Sequence, residues 1–535
     1  MKKTSFLPLF SFLLIISTIT NCAIVKQMLP AVKESKTGVS PLSIEEEVIK
    51  NTNVQLEIFS VAGYNEPHTP PLQKPTRRLE DFLLRTHGTI DLNRSLVYKY
   101  YNPEFQSTTI QVMVAGIHSG VGTIANLAEA IVLRSPETEV WIWERRSNLL
   151  EDRSLFIETL QTKNTSRLLE SLEPDTYKPK ADIIFTPTTD DISFAGFWGF
   201  NVFAGDLFNV INKAKSLEKK VILSGYSLGV MYVTNFLANL FTTDGVAEPG
   251  YSLVDGAVLY DGPSQIDAYV TSENKYKKGI YIFPPGNFIH GINELETGKI
   301  YPCNTDGTGA IDPFFKIETK AILAAIAPDD IAPIRYTSGF QSFNISNLAS
   351  ALVEVDDNYH PFKLFTATLG RADANHFGVF SKKSVVSITG YSNNKIHIDW
   401  IYPEHFPGEE FNDIPQFLYT VSNKTFNSSD WYQPTRILLD LGSIHKNDTS
   451  RGWQKSYFSV SENSKINIPM LAIGLTKGLV THEDLYKNYF TSTAVTDATI
   501  IMIDNLMHFD ADTISGHKKH PFADVTARWL KKTYN

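Results

Sequence analysis

Between about residues 107 and 262 the apolar positions alternate between two regimes, short continuous runs and helical spacing. "TTIQVMVAG" reads as a buried strand, "TIANLAEAIVLRS" as a helix and "EVWIWERR" as a second strand. "GDLFNVINKAKSLEK" sets Leu207, Val210 and Ile211 at helical spacing, with lysines crowding its C-terminal end as a helix dipole favours. "KVILSG" is a strand, "GVMYVTNFLANLF" a helix and "VDGAVLYDG" a strand. Ahead of these, "VQLEIFSVAG" and "SLVYKYYNPE" read as opening antiparallel strands. Alternation of this length predicts an α/β, doubly wound, mostly parallel sheet with helices on both faces.

The alternation stops after Asp261 and resumes near the C-terminus with "IPMLAIGL", "TIIMID" and the helix "FADVTARWLKK". The stretch from Pro263 to Lys465 is rich in aromatics, Gly, Pro and Asn, and is far too long for a structureless loop in a compact domain. It is expected to be an inserted cap or lid. The expected organisation is a leader over 1–22, a linker over 23–50, a core over 51–262 and 466–535, and an insertion over 263–465.

The leader changes the expected location. Lys2 and Lys3 precede the apolar run "FLPLFSFLLIISTI", which is short for a membrane span, and the pattern predicts an export signal on an otherwise soluble chain. Cys22 follows it in "STITNCA", which resembles a bacterial lipobox at Ile19 and Thr20 but has Asn21 where a small residue is usual. Two readings stay open: Cys22 carries a lipid that attaches the protein to the cell envelope, or it is lost with the signal. The other cysteine, Cys303, then has no intramolecular partner, and no structural disulfide is expected. A formal net charge of −9 argues against nucleic acid as the main partner.

The chemistry concentrates at "VILSGYSLGV". Ser227 follows the strand residues Val221, Ile222 and Leu223, and a helical pattern begins at Val230. A serine on so tight a strand-to-helix turn takes a backbone with φ > 0, and side chains at Gly225 and Gly229 would collide. The turn also brings the Leu228 amide and a helix N-terminus to the hydroxyl, where they can receive a developing oxyanion. Ser392, in "GYSNN", lacks the second glycine and a following helix, and reads as a loop serine. Activation of Ser227 needs a histidine. His508 lies just beyond a strong strand in "ATIIMIDNLMHFDADT"; His517 and His520 are rivals expected at the surface. A metal site of His508, Asp510 and Asp512 has no HExxH or other ligand pattern behind it. The glycine-rich "AGIHSGVG" after "IQVMV" offers Ile117 and His118 as further amide donors for an oxyanion hole.

Together these features resemble the α/β-hydrolase family: the Gly-x-Ser-x-Gly elbow at Gly225–Gly229, the loop at Gly116–Gly122, an insertion after the next strand and a histidine near the C-terminus. The resemblance covers about residues 107–262 and 466–535. It implies a serine esterase or lipase-like enzyme working through an acyl-enzyme on Ser227, with the order serine, acid, histidine. The family's usual acid position, after the strand "IPMLAIGL", holds Gly478; Glu483 and Asp484 follow a few residues later. The alternative is Asp261, at the end of "VLYDGP", a place from which some lipases supply the acid; Asp261 is the preferred candidate.

Two other readings compete. Gly120, Gly122 and Ala125 spell G-x-G-x-x-A between a strand and a helix, with Glu144 ending the next strand, as in dinucleotide-binding proteins. The missing aspartate at Gly478 also suits a non-catalytic, hydrolase-like binding protein of the cell envelope. On the enzyme reading the partner is a small-molecule or lipid ester, which the aromatic-rich insertion suits, and no cofactor or metal is called for.

Overall fold

The computed structural model describes residues 53–534 apart from 174–178, 244, 266–267, 283–286, 304–311, 334–343, 360–365, 373–396 and 518. The leader, Cys22, the linker and Ser392 lie outside the described residues.

Eight strands form one sheet: β1 (Gln55–Ala62), β2 (Arg94–Tyr101), β3 (Thr109–Val114), β4 (Thr138–Glu144), β5 (Lys220–Tyr226), β6 (Gly256–Tyr260), β7 (Met470–Lys477) and β8 (Ala498–Met507). Their order across the sheet is β1-β2-β4-β3-β5-β6-β7-β8. β2 runs antiparallel to both of its neighbours, and every pairing from β4 to β8 is parallel. This is the α/β-hydrolase fold. β3, β4 and β6 are buried along their whole length, so they read as largely apolar runs.

Side chains alternate between two cores, one on each face. Ile110, Val112 and Val114 of β3 join Val221 and Leu223 of β5 in the larger core, while Met113, Ile222 and Tyr226 point to the smaller one. The larger core is covered by α1 (Arg77–His87), α3 (Phe200–Lys215) and α4 (Leu228–Ala238), and the smaller by α2 (Gly122–Arg134) and α6 (Pro521–Tyr534). A short α5 (Asp484–Thr491) joins β7 to β8.

The stretch between β6 and β7 is only partly a body of its own. Its two ends pack into the larger core through Tyr276, Ile289, Trp431, Ile437 and Phe458, whereas its middle, from Ala324 to Phe417, has a separate small core around Leu348, Leu352 and Trp400. Most of the insertion's aromatics described here therefore fill cores. Among the described residues no single helix is long and apolar enough to cross a membrane.

Candidate active site

β5 delivers Ser227 to the C-terminal edge of the sheet and α4 leaves from it at once. Ser227 has φ 58° and ψ −125°, and it is 4% exposed. A Cβ on Gly225 would stand 2.2 Å from the carbonyl oxygen of Gly229, and one on Gly229 would stand 2.2 Å from that of Val114. Backbone approaches this close admit only glycine at both positions. The Ser227 amide donates to Tyr260 O at 3.0 Å, which ties the strained turn to β6.

One strand further on, Asp261 directly follows β6 with φ 37° and its carboxylate fully buried. Its Oδ2 lies 2.7 Å from His508 Nδ1. The same carboxylate accepts backbone N–H groups from the end of β7 and the loop after it: Leu475 and Val480 on Oδ1, at 3.2 and 2.9 Å, and Leu479 on Oδ2, at 3.0 Å. Of the acid candidates it is Asp261 that meets the histidine. Asp484 is exposed at the start of α5, and Glu483 is engaged with Lys487. Tyr226, which sequence reasoning passed over, stacks on the His508 ring with centroids 4.8 Å apart and planes 9° from parallel, and its hydroxyl donates to His508 O. The residue before the serine thus fixes the histidine's plane. Among the described residues Ser227 Oγ and His508 Nε2 share no hydrogen bond.

The glycine-rich loop after β3 lies against the serine. A Cβ on Gly116 would stand 2.9 Å from Ser227 Cβ and 3.3 Å from Oγ. The amides of Ile117 and Leu228 donate to no acceptor among the described residues. The His118 amide, expected as a donor to the oxyanion, instead donates to Gln433 Oε1 at 2.5 Å, because the loop turns at His118 (φ 48°) toward the insertion. Its imidazole stays neutral down to about 4, held there by burial and then by the charge of Arg145. Gly120 and Gly122 donate to the carbonyls of Ser428 and Asn427 at 2.9 and 2.6 Å. That contact, with a segment of the chain itself, accounts for the apparent dinucleotide fingerprint. Glu144, its ribose partner on that reading, is buried, accepts from Asn148 Nδ2 at 3.1 Å and is pushed by burial up to about 7.

The other titratable groups of the C-terminal loop have separate tasks. His520, expected at the surface, is fully buried at the start of α6, where it accepts the Ala523 amide at 3.4 Å; burial and then Arg134 press it down to about 3. His517 is exposed and faces Glu129 at 3.6 Å. Asp510 accepts the amides of Thr368 and Met507 at 2.9 and 2.7 Å, so it holds the histidine loop to the insertion. With His508 Nδ1 on Asp261 and Asp510 on these amides, the His508, Asp510 and Asp512 side chains do not converge as a ligand set.

Ser227 lines a cleft between the sheet and the insertion. Ile117, Phe314, Ile317, Phe417 and Phe509 give it a largely apolar wall.

No protein-family model matches this chain, and no curated protein matches it. It is similar to a lipase candidate from Sulfolobus solfataricus, at 14% identity and a TM-score of 0.42, over 94% of this chain and 99% of that one. It is also similar to a monoglyceride lipase from Saccharomyces cerevisiae, at 8% identity and a TM-score of 0.34, over 82% of this chain and 92% of that one. A thermophilic esterase from Thermogutta terrifontis aligns at 8% identity and a TM-score of 0.36, over 90% of this chain and 100% of that one. The strand order and the elbow at Ser227 define the fold.

Proposed function

We propose that the protein is a serine hydrolase that cleaves carboxylic esters through an acyl-enzyme on Ser227. The observation that carries this reading is the buried Asp261–His508 pair, at 2.7 Å, set beside the strained elbow. Asp261 holds the imidazole with Nδ1 protonated, which leaves Nε2 as the base. Ser227 Oγ attacks the ester carbonyl carbon as His508 takes its proton. The amides of Leu228 and Ile117 receive the oxyanion. His508 then protonates the departing alcohol, and water, deprotonated in turn by His508, releases the acid. The apolar cleft favours a hydrophobic acyl or lipid ester, since a wall of this kind strips water from alkyl chains and has few groups to pair with charge.

A non-catalytic binding protein drew its motive from the vacant position at Gly478, and Asp261 occupies that space. The test is a panel of p-nitrophenyl and glyceryl esters of different acyl lengths, with Ser227→Ala as background. Hydrolysis above that background supports the reading; none across the panel overturns it. Export belongs to the same proposal, with Cys22 either lipidated or lost with the signal, and the mass of the N-terminal peptide of the mature protein decides between the two.

A further inference from the structure

Arg145 is a buried charge at the end of β4 to which the serine mechanism gives no part. Its side chain gathers the carbonyls of the oxyanion loop. Nη1 donates to Gly116 O at 3.2 Å and to Ala115 O at 3.4 Å, Nη2 donates to Ser119 O, and Nε donates to Asp430 Oδ2 at 2.9 Å. The Gly116 carbonyl and the Ile117 amide are the two ends of one peptide group. Because that group is planar, holding its oxygen sets the direction of its N–H. A charged donor on the oxygen also polarises the whole group and strengthens the N–H as a donor.

The other anchors of the loop come from the insertion. Asp430 N donates to His118 O at 2.8 Å, and Gln433, Ser428 and Asn427 accept from His118, Gly120 and Gly122. Asp430 is itself fastened by Ser147 Oγ at 2.7 Å. The loop thus lies between a guanidinium from the sheet and a segment of the insertion, with Asp430 joining the two.

We propose that Arg145 is a positioning residue for the oxyanion hole: it orients and polarises the Gly116–Ile117 peptide, and Asp430 makes that orientation depend on the seating of residues 427–433. The inference rests on the serine hydrolase reading above. Arg145 exchanges no proton; as Ser227 attacks, the carbonyl electron pair moves onto oxygen and is met by an N–H that Arg145 holds in place.

The experiment compares wild type with Arg145→Gln, Asp430→Asn and the double variant, using p-nitrophenyl butyrate, each protein first checked for a cooperative melt. The double variant leaves no lone buried charge, so it is the form best able to fold. Its kcat is expected to fall about 10²-fold, as on loss of an oxyanion donor, with KM within roughly threefold. The acid limb of its pH profile stays where it is in wild type, and affinity for an alkyl boronic acid, which forms a tetrahedral adduct, falls in step with kcat/KM. Asp430→Asn alone gives a smaller fall in kcat, and it decides the matter if neither Arg145 variant folds. A kcat within about twofold of wild type overturns the inference, as does a loss that lies in KM or in a displaced acid limb. Wild type labelled by a fluorophosphonate with the variants unaffected sinks this inference alone, whereas wild type that takes no label sinks the hydrolase reading and this inference with it.

Discussion

A Cβ on Gly478 would stand 2.2 Å from Asp261 Oδ2. The position from which the fold's acid usually comes is therefore filled by a carboxylate reaching across from the neighbouring strand. Three amides from the end of β7 and the loop after it close around that carboxylate, which also meets His508. Asp261 thus follows the strand before the one after which the resemblance expects the acid, and the absence of a side chain at Gly478 leaves room for its carboxylate.

Asp261→Asn is expected to lower kcat about 10⁴-fold, because an amide either loses the histidine or holds the wrong tautomer. Glu483→Gln and Asp484→Asn are expected to leave kcat unchanged, since these side chains face Lys487 and solvent. Steady-state kinetics on one ester checks all three; a large loss in Asp484→Asn with none in Asp261→Asn would reverse the assignment.

Gly478→Ala forces a methyl group onto the Asp261 carboxylate. Overpacking of this kind costs about 1–3 kcal/mol, and here it also displaces the acid, so stability and kcat are expected to fall together. Thermal melting beside the kinetic assay checks this. A variant with both unchanged would show that the carboxylate has room to spare.

Ser227→Gly and Ser227→Ala both remove the nucleophile, but only glycine is at ease at φ 58°. Relief of backbone strain is expected to make Ser227→Gly about 1 kcal/mol more stable than Ser227→Ala, measured by denaturant unfolding. Equal stabilities would mean that the elbow is unstrained.

The neutral His118 carries a pH signature. The unfolded chain takes up a proton near 6.5, whereas the folded chain holds out until about 4. Native stability from this group is therefore full above about 6.5, declines as pH falls through that interval and is lost below about 4. His118→Asn, which tolerates the positive φ at this position, is expected to melt with a shallower acid-side decline, while its offset from wild type stays constant above pH 7. Parallel melting curves across pH 4–7 would show that His118 is protonated alike in both states.

The sheet was legible because β3 to β7 are buried on both faces over most of their length and so leave largely apolar runs, as "IQVMV" and "LAIGL" do. The elbow was legible because sterics demand glycine on both sides of Ser227. α1 was missed although its signals are present: Thr76 caps the Leu79 amide at 3.2 Å, Leu79, Phe82 and Leu83 share one face, and Gly88 ends the helix at φ 66°. The acid was ambiguous because Asp261 and His508 are 247 residues apart and only the pairing of β7 with both β6 and β8 brings them together. Arg145 and Asp430, 285 residues apart, left no mark in the local pattern at all. His520 looked exposed because it sits among lysines, yet the start of α6 turns it into the core.

The most direct measurement is the rate at which a fluorophosphonate labels wild type, Ser227→Ala and Asp261→Asn, each verified as folded. One label per wild-type molecule is expected, with none on Ser227→Ala and greatly slowed labelling of Asp261→Asn. Label retained by Ser227→Ala, or wild type left unlabelled, would contradict the claim that Asp261 and His508 activate Ser227.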